Sequence, residues 1–205
     1  MTRTEQDYRE LRQLPLDERR LWVQGRFPEG ASPQWWLAMV ESAETAVSPV
    51  RDLSDDRRRE GLEFAVSLLD LALDEGGMSP CYSAYWTVRL AALALRFRTP
   101  ITRLPEVVTP DGAARLALQR LPFSREEALV VASRRRHNLQ QGEDRFYSPG
   151  EDISQGLYRP CEEVLLLQEV ERVLSSLVWI ADRIADDQLS REIGSWLNLR
   201  SALEI

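Results

Sequence analysis

Residues 62–73, LEFAVSLLDLAL, and residues 82–97, YSAYWTVRLAALALRF, decide the fold class. Apolar side chains recur in both stretches at helical spacing, and they cover most of the circumference of each helix. A helix that is apolar nearly all round is buried inside a protein. The two stretches therefore predict two central helices that other helices enclose.

A third central helix is predicted over residues 160–187, where apolar residues are spaced alternately by four and three positions. They are Leu166, Val170, Val173, Leu177, Ile180 and Ile184. This spacing is the a/d pattern of helices packed along one seam. Because the stripe is short for a coiled coil, it favours the packing face of a bundle helix. The alternative is that the 166–184 stripe forms the seam of a homodimer.

Helix starts are marked by a serine or threonine followed by proline. These pairs are Ser32-Pro33, Ser79-Pro80 and Thr109-Pro110. The hydroxyl accepts a hydrogen bond from a free N–H group of the first turn, and proline suits that turn. Ser124 and Glu127 have the spacing of a capping box. Gly76-Gly77 and Gly142 follow helical runs, where a left-handed residue is favoured.

Together these signals predict an all-α, single-domain, irregular bundle of about seven to nine helices over residues 1–205. The predicted helices cover about residues 4–13, 16–26, 33–47, 55–75, 80–98, 110–121, 125–141, 160–187 and 190–203. Residues 99–108 are predicted to be extended, and Val107-Val108 is the one strand-like fragment.

The basic residues are arginines alone: the chain has 26 of them, no lysine, and a formal net charge of −7. A lysine-free chain has no Schiff-base lysine and no P-loop lysine. The favoured explanation is the codon usage of a GC-rich genome. The alternative is selection against lysine in a protein that works beside a lysine-modifying enzyme.

The acidic balance disfavours general binding to nucleic acid or to an anionic membrane, which requires an excess of clustered cations. Residues 76–150 nevertheless carry a net charge of +5, between flanks of −6 each. The positive charge of this middle segment is expected to be balanced, within the fold, by the negative charge of the two flanking segments. The alternative is that it presents a basic face to an acidic partner.

Targeting signals are absent from the start of the sequence, MTRTEQDYRE, which carries charges and no apolar segment. No apolar stretch approaches the ~20 residues of a membrane span. Cys81 and Cys161 form no CxxC motif, which is typical of reduced thiols in a cytosolic protein. We therefore expect a cytoplasmic protein of bacterial type that makes no membrane contact.

Metal and nucleophile motifs are also missing. His137 is the one histidine, and a zinc site would need it together with Cys81 and Cys161, which lack the close spacing of zinc ligands. The sequence has no GxGxxG, P-loop or GxSxG motif. It therefore predicts no cofactor, no metal and no enzymatic activity.

Carboxylate pairs leave one enzymatic alternative open, a carboxylate–metal hydrolase. Glu41 and Glu44 form one ExxE pair, and Glu60 and Glu63 form another. The all-α nucleotide pyrophosphohydrolases combine such a pair with ExxD, which this sequence lacks. Chance pairing on solvated helix faces is therefore the favoured interpretation.

The sequence predicts a long polar loop between two helices over residues 142–159, GEDRFYSPGEDISQGLYR. A loop of this length is a candidate mobile segment. The loop carries aromatic residues and arginines, which dominate the binding energy of protein interfaces. These candidates for protein binding are Arg145, Phe146, Tyr147, Tyr158 and Arg159. The alternative is that the aromatic side chains pin the loop to the core.

Trp35 and Trp36 are two further candidates for protein binding. Adjacent helical residues point about 100° apart, so both rings are buried only if the helix is largely enclosed. We expect one tryptophan to lie in the core and the other to lie at a groove rim or an interface.

The run Arg134-Arg135-Arg136-His137 is the candidate site for an anionic partner. The run lies late in the second of two predicted helices, 110–121 and 125–141, which superficially resemble a helix-turn-helix, whereas recognition residues normally lie near the start of that second helix. Interaction of the arginines with the helix C-terminal dipole is the structural alternative. Nucleic-acid binding is therefore kept as a disfavoured alternative.

By elimination, the sequence favours a non-catalytic protein-binding module, such as an inhibitor, immunity protein, adaptor or assembly subunit. The first alternative is a nucleic-acid-associated subunit that uses Arg134–Arg136. The others are the carboxylate–metal hydrolase and a component of a lysine-modifying, ubiquitin-like pathway.

Overall fold

The computed structural model describes residues 3–49, 51–97, 104–140 and 162–203. All regular structure in these ranges is helical, so the all-α prediction is confirmed. The α-helices are α1 (Arg3–Gln13), α2 (Leu16–Arg26), α3 (Pro33–Ala46), α4 (Asp55–Asp74), α5 (Pro80–Ala94), α6 (Pro110–Gln119), α7 (Arg125–Gln140), α8 (Glu162–Leu177) and α9 (Asp187–Leu203). Short 3-10 helices cover Glu106–Val108 and Ala181–Arg183.

The predicted serine and threonine caps are confirmed at three helix starts. Ser32 Oγ accepts from the Trp35 N–H at 3.2 Å, and Ser79 Oγ accepts from the Tyr82 N–H at 3.1 Å. Thr109 accepts in the same way from the first turn of α6. Each cap satisfies a backbone donor that the helix itself leaves unpaired.

The capping box at the start of α7 is reciprocal, as predicted. The Glu127 N–H donates to Ser124 Oγ at 3.3 Å, and the Ser124 N–H donates to Glu127 Oε2 at 2.8 Å. The bond from the Ser124 backbone lowers the pKa of the Glu127 carboxyl from its ordinary value, because it favours the ionised form.

The end of α4 is fixed by Gly76, which has a left-handed φ of 69°. The Gly77 N–H donates to the Ala72 carbonyl at 2.8 Å, and the Gly76 N–H donates to the Leu73 carbonyl at 3.1 Å. This pair of bonds is a Schellman motif, which requires a residue that adopts positive φ without strain. It turns the chain sharply from α4 into α5.

The core forms one continuous cluster to which α1 to α9 all contribute, with α4 and α5 at its centre. Helix α5 packs against α4, α6 and α8, and α3 packs against α4. Leu68 of α4 and Val88 and Leu90 of α5 have no exposed surface. The prediction that residues 62–73 and 82–97 form central helices is therefore confirmed, although one face of α5 is only half-buried.

The prediction of one helix over residues 160–187 is wrong at its C-terminal end. Helix α8 ends at Leu177, and α9 begins at Asp187, three residues before the predicted start. Between them, Asp186 Oδ1 accepts from the Gln188 and Leu189 N–H groups, so it caps α9. The Asp186 cap thus fixes the start of α9 as a helix separate from α8.

The stripe over 166–184 lies largely inside the protomer. Val170, Val173, Leu177 and Ile180 have no exposed surface, and Leu166 and Ile184 are half-buried. The stripe is thus the packing face of α8 together with the turn that follows it. A dimer seam built from these side chains would require that internal packing to open.

The strand-like fragment Val107-Val108 is also corrected. Both residues belong to the 3-10 helix Glu106–Val108, in which Val108 is fully buried. The Thr109 N–H donates to the Glu106 carbonyl, which closes this tight turn immediately before α6. The two valines are apolar because they reach the core from a turn, and not because they pair in a sheet.

Candidate functional site

The candidate site is an aromatic surface made by one face of α5, the end of α8 and the turn after it. Its members are Tyr82, Tyr85, Arg89, Arg172 and Trp179. The first three lie three and four positions apart on α5, so they share a face of that helix. Contacts between α5 and α8 place them beside Arg172, and beside the turn that carries Trp179.

The rings of the aromatic surface touch in a continuous row. Tyr82 and Tyr85 are stacked, with ring centroids 5.8 Å apart and an interplanar angle of 9°. The Trp179 ring lies 6.4 Å from Tyr85, and the Arg172 guanidinium lies 5.4 Å from the Tyr82 ring centroid. Neighbouring rings and the cation stabilise one another in this geometry, so the row is held in place by its own contacts.

Arg89 ties the row to α3. Its Nε donates to Glu44 Oε1 at 2.6 Å, its Nη1 donates to Tyr85 Oη at 3.2 Å, and its guanidinium lies over the buried Trp86 ring. The hydrogen bond to Glu44 raises the pKa of Arg89, against the lowering by burial. Arg89 is therefore charged at neutral pH, and its hydrogen bond to Tyr85 Oη restrains that ring.

Trp179 supplies the exposed part of the surface. It is 43% exposed and the preceding Val178 is 49% exposed, while the next residue, Ile180, is fully buried. The chain leaves the helical path after Leu177, so these two apolar side chains point outward although the stripe residues beside them point inward. Contiguous exposed apolar surface of this kind is typical of an interaction site.

A groove of about 570 Å³ adjoins the aromatic surface between α3, α5 and α8. Leu37 and Met78 give it an apolar part, and Tyr82 and Arg172 are shared with the aromatic surface. Glu169 lines it as well and accepts a hydrogen bond from the Ser79 hydroxyl at 2.9 Å. The groove can therefore receive an apolar group close to one cation and one carboxylate.

The two adjacent tryptophans have different roles. Trp36 has no exposed surface and lies in the core. Trp35 is half-buried, stacks near Trp22 and Phe27, and its Nε1–H donates to Asp7 Oδ2 at 3.1 Å. The prediction that one of the pair is a core residue is confirmed for Trp36, while Trp35 remains the partly exposed member.

Asp7 explains why Trp35 is held firmly. Its carboxylate is 1% exposed, accepts from the Trp35 indole, and forms an ion pair with Arg26 at 3.0 Å. Charged hydrogen bonds of this kind make a buried carboxylate tolerable. This cluster joins α1, α2 and α3, so the Trp35 contacts serve the structure of the amino-terminal part.

The predicted binding loop, with Arg145, Phe146, Tyr147, Tyr158 and Arg159, lies outside the described residues, as do Gly142 and Cys161. Helix α8 begins at Glu162, directly after that segment. The loop therefore stays a prediction from the sequence.

The basic run near the end of α7 is spread around the helix. Arg134, Arg136 and His137 are exposed and Arg135 is half-buried. Four consecutive helical residues point in directions about 100° apart, so they do not share one face. The run is therefore a poor geometric match to a single phosphate site, although each exposed side chain can contact solvent.

The carboxylate pairs take part in separate ion pairs. Glu44 binds Arg89, and Glu63 lies 3.7 Å from Arg59. Glu41 and Glu60 are exposed. In the described ranges, no group of three or more histidine, cysteine, aspartate or glutamate side chains is arranged to hold a metal ion.

Cys81 lies in the first turn of α5, where a helix dipole alone would lower the thiol pKa. It is nevertheless buried, and its Sγ–H donates to the Arg120 carbonyl at 3.4 Å. Burial, followed by the charge of Glu169, raises the pKa of Cys81 to about 12. The side chain is thus a protonated thiol at neutral pH and a poor nucleophile.

Sequence reasoning missed the aromatic surface because it treated α5 as enclosed on all sides. Tyr82, Tyr85 and Arg89 carry polar tips at positions i, i+3 and i+7 of an otherwise apolar helix. That spacing is the signal that could have found the exposed face. Trp179 had no such signal, since it was predicted to lie within a continuous helix.

Comparisons with protein-family models, with curated proteins and with solved structures find no match. In the part of the chain that the model describes, no helix has the length and apolar character needed to cross a membrane.

Proposed function

We propose that the protein is a non-catalytic protein-binding module, and that the aromatic surface is its binding site. The observation that carries the proposal is the continuous row of Arg172, Tyr82, Tyr85 and Trp179, whose outer end is an exposed tryptophan. Tryptophan, tyrosine and arginine are the residue types that supply most of the binding energy in protein interfaces.

Preorganisation supports this choice. Arg89 is bonded to both Glu44 and Tyr85, so the tyrosine ring loses little conformational freedom when a partner packs on it. Binding costs free energy for each side chain that must be immobilised, and prior ordering reduces that cost. A surface that is exposed, aromatic and already ordered is therefore well suited to recognition.

The chemistry of the surface defines its partner. Trp179 and Val178 offer apolar area, and Arg172 forms no ion pair within 4.0 Å with a carboxylate among the described residues. We infer that the partner is a different protein, which places an apolar side chain on Trp179 and a carboxylate near Arg172. An inhibitor, immunity protein, adaptor or assembly subunit would each use such a surface.

The experiment compares the native chain with Trp179→Ala and with a matched control, Val130→Ala. Val130 is also an exposed apolar residue, 57% exposed, but it lies on α7 outside the aromatic surface. The partner that copurifies from the host with the native chain is then produced alone, and its affinity is measured by calorimetry. We expect Trp179→Ala to weaken binding by about 2 kcal/mol or more, roughly thirtyfold, and Val130→Ala to leave it unchanged.

Other outcomes overturn the proposal in distinct ways. Equal affinity of Trp179→Ala and the native chain would remove the aromatic surface as the site. Copurification of nucleic acid with no protein partner would favour the arginine run of α7. Self-association that rises with concentration and is lost in Trp179→Ala would show that the occupant is a second copy of this chain.

A further inference from the structure

A groove of about 1000 Å³ lies between α1 and α3. Its α3 wall is built from small residues one turn apart, Ala38, Ser42 and Ala46. Because these side chains are short, the two helices enclose an open channel instead of packing tightly. The volume lies in the range of small-ligand sites.

Three arginines line this groove: Arg9 and Arg12 from α1, and Arg51 from the segment after α3. None of them forms an ion pair within 4.0 Å with a carboxylate in the described part of the chain. Elsewhere, arginines such as Arg26 and Arg89 are bonded to a carboxylate at 3.0 Å or less. The groove thus brings together three arginines that have no such ion pair.

Tyr8 lies at the meeting point of these charges. Arg12 Nη1 is 3.5 Å from Tyr8 Oη, and both Arg12 and Arg51 are close enough to act electrostatically on the phenol. Burial, the largest effect, nevertheless raises the pKa of Tyr8. The hydroxyl is therefore protonated at neutral pH and can donate a hydrogen bond beside two guanidinium groups.

Two glutamates limit what can bind. Glu5 and Glu41 also line the groove, so its ionisable side chains give a net charge of +1. An extended polyanion such as a nucleic acid would meet both carboxylates. The charges that act on Tyr8 are those of Arg12 and Arg51, so a compact anion placed between these three side chains would gain charged hydrogen bonds.

We propose that the α1–α3 groove binds a small ligand through a compact oxyanion, a phosphate or a carboxylate group, held by Arg12, Arg51 and the Tyr8 hydroxyl. Guanidinium groups bind either anion in a bidentate geometry. This site is separate from the aromatic surface, so its test is independent of the test of the proposed protein-binding function.

The test is calorimetric titration of the full chain with pyrophosphate and, separately, with citrate, at constant ionic strength. The variants are Arg12→Gln and Tyr8→Phe, and the matched control is Arg57→Gln, an exposed arginine of α4 outside the groove. We expect saturable binding of at least one probe and a loss of about tenfold or more in Arg12→Gln, because a charged hydrogen bond is removed. Arg57→Gln should bind as the native chain does, and Tyr8→Phe should bind more weakly.

Preference for pyrophosphate over citrate would identify the phosphate form, and the reverse would identify the carboxylate form. The proposal is overturned if neither probe saturates, or if Arg57→Gln loses as much affinity as Arg12→Gln, since binding would then follow overall charge. Tighter binding of a single-stranded oligonucleotide than of either probe would also overturn it, because the ligand would not be compact. Thermal melting without ligand confirms that each variant is folded.

Discussion

Helix α3 faces the core with large side chains such as Trp36 and Met39, whereas α6 faces it with Ala113, Ala114 and Ala117. All five residues have no exposed surface. Burial of the large side chains removes far more apolar area from water, and the free energy gained is roughly proportional to that area. The two helices are therefore held by different means.

Helix α6 is positioned by a close contact between backbone segments and by hydrogen bonds. Gly112 lies so near the Glu106 carbonyl that a side chain there would overlap it. The Asp111 carboxylate accepts from the Ala185 and Asp186 N–H groups, the latter at 2.9 Å. Gly112 thus lets the 3-10 helix Glu106–Val108 lie against α6, and the hydrogen bonds of Asp111 fix the connection between α8 and α9 beside it.

The largest expected effect comes from Trp36→Ala. The change removes a fully buried indole from the face that α3 packs against the core. A truncation of this size lowers the free energy of unfolding by about 3–5 kcal/mol. Ala117→Gly, the corresponding change on α6, should cost only about 1 kcal/mol, mainly from helix propensity. Urea unfolding at neutral pH measures both, and equal losses would contradict the distinction between the two helices.

Trp36→Phe separates the volume of the indole from its polar atom. Trp36 Nε1 is buried and has no hydrogen-bond partner among the described residues. An unsatisfied buried donor destabilises the folded state, so its removal offsets part of the lost volume. The phenylalanine variant should therefore have a clearly higher free energy of unfolding than the alanine variant.

The next prediction is that substitution by alanine changes the stability of the protein in opposite directions at two glycines. A Cβ at Gly112 would overlap the Glu106 carbonyl, which is backbone and cannot rotate away, so Gly112→Ala should destabilise by about 1–3 kcal/mol. Gly194, inside α9, has open space at the same position. Gly194→Ala should stabilise the protein by about 0.5–1 kcal/mol, because alanine favours helix.

The melting temperatures of the two glycine variants, measured together, are sufficient for this comparison. If Gly112→Ala were as stable as the native chain, α6 would have room to move away from the 3-10 helix before it. The close approach would then not determine where α6 lies.

Features that depend on neighbours in sequence were predictable. The caps at Ser32, Ser79 and Thr109 and the reciprocal box of Ser124 and Glu127 each use residues within three positions of one another. Central helices were also predictable, because a helix that is apolar around most of its circumference must be largely enclosed. Local hydrogen bonding and burial pattern therefore sufficed for the fold class and for most helix starts.

Features that depend on distant partners were not predictable. The apolar period of α8 continues through Ile180, yet the helix ends at Leu177, and Asp111 of another helix binds the backbone beyond it. The exposure of Trp179 follows from that break. The Trp179 end of the candidate site could therefore not be found from the sequence, because Trp179 is exposed only where α8 ends early.

The smallest effect concerns Asp186, which belongs to the polar links of α6 and α9. The backbone N–H of Leu189, followed by the Arg115 side chain, lowers the pKa of its carboxyl below the ordinary value of 3.8. A carboxyl whose pKa is lowered in the folded state stabilises the protein at pH values above its ordinary pKa. That contribution is lost as the pH falls through the folded-state pKa, in the range below 3.8.

Asp186→Asn keeps a side-chain oxygen that can cap α9 but removes the charge. We therefore expect the variant to be less stable than the native chain at neutral pH, and the difference to shrink as the pH falls below about 4. The matched control is Asp182→Asn, which removes the same charge four residues earlier, where the one ion pair among the described residues is with the adjacent Arg183. A pH-independent difference for Asp186→Asn would mean that its contribution is the cap alone. A stability gap that closes on acidification only in Asp186→Asn would instead show that charge, and not side-chain volume, holds this end of the molecule.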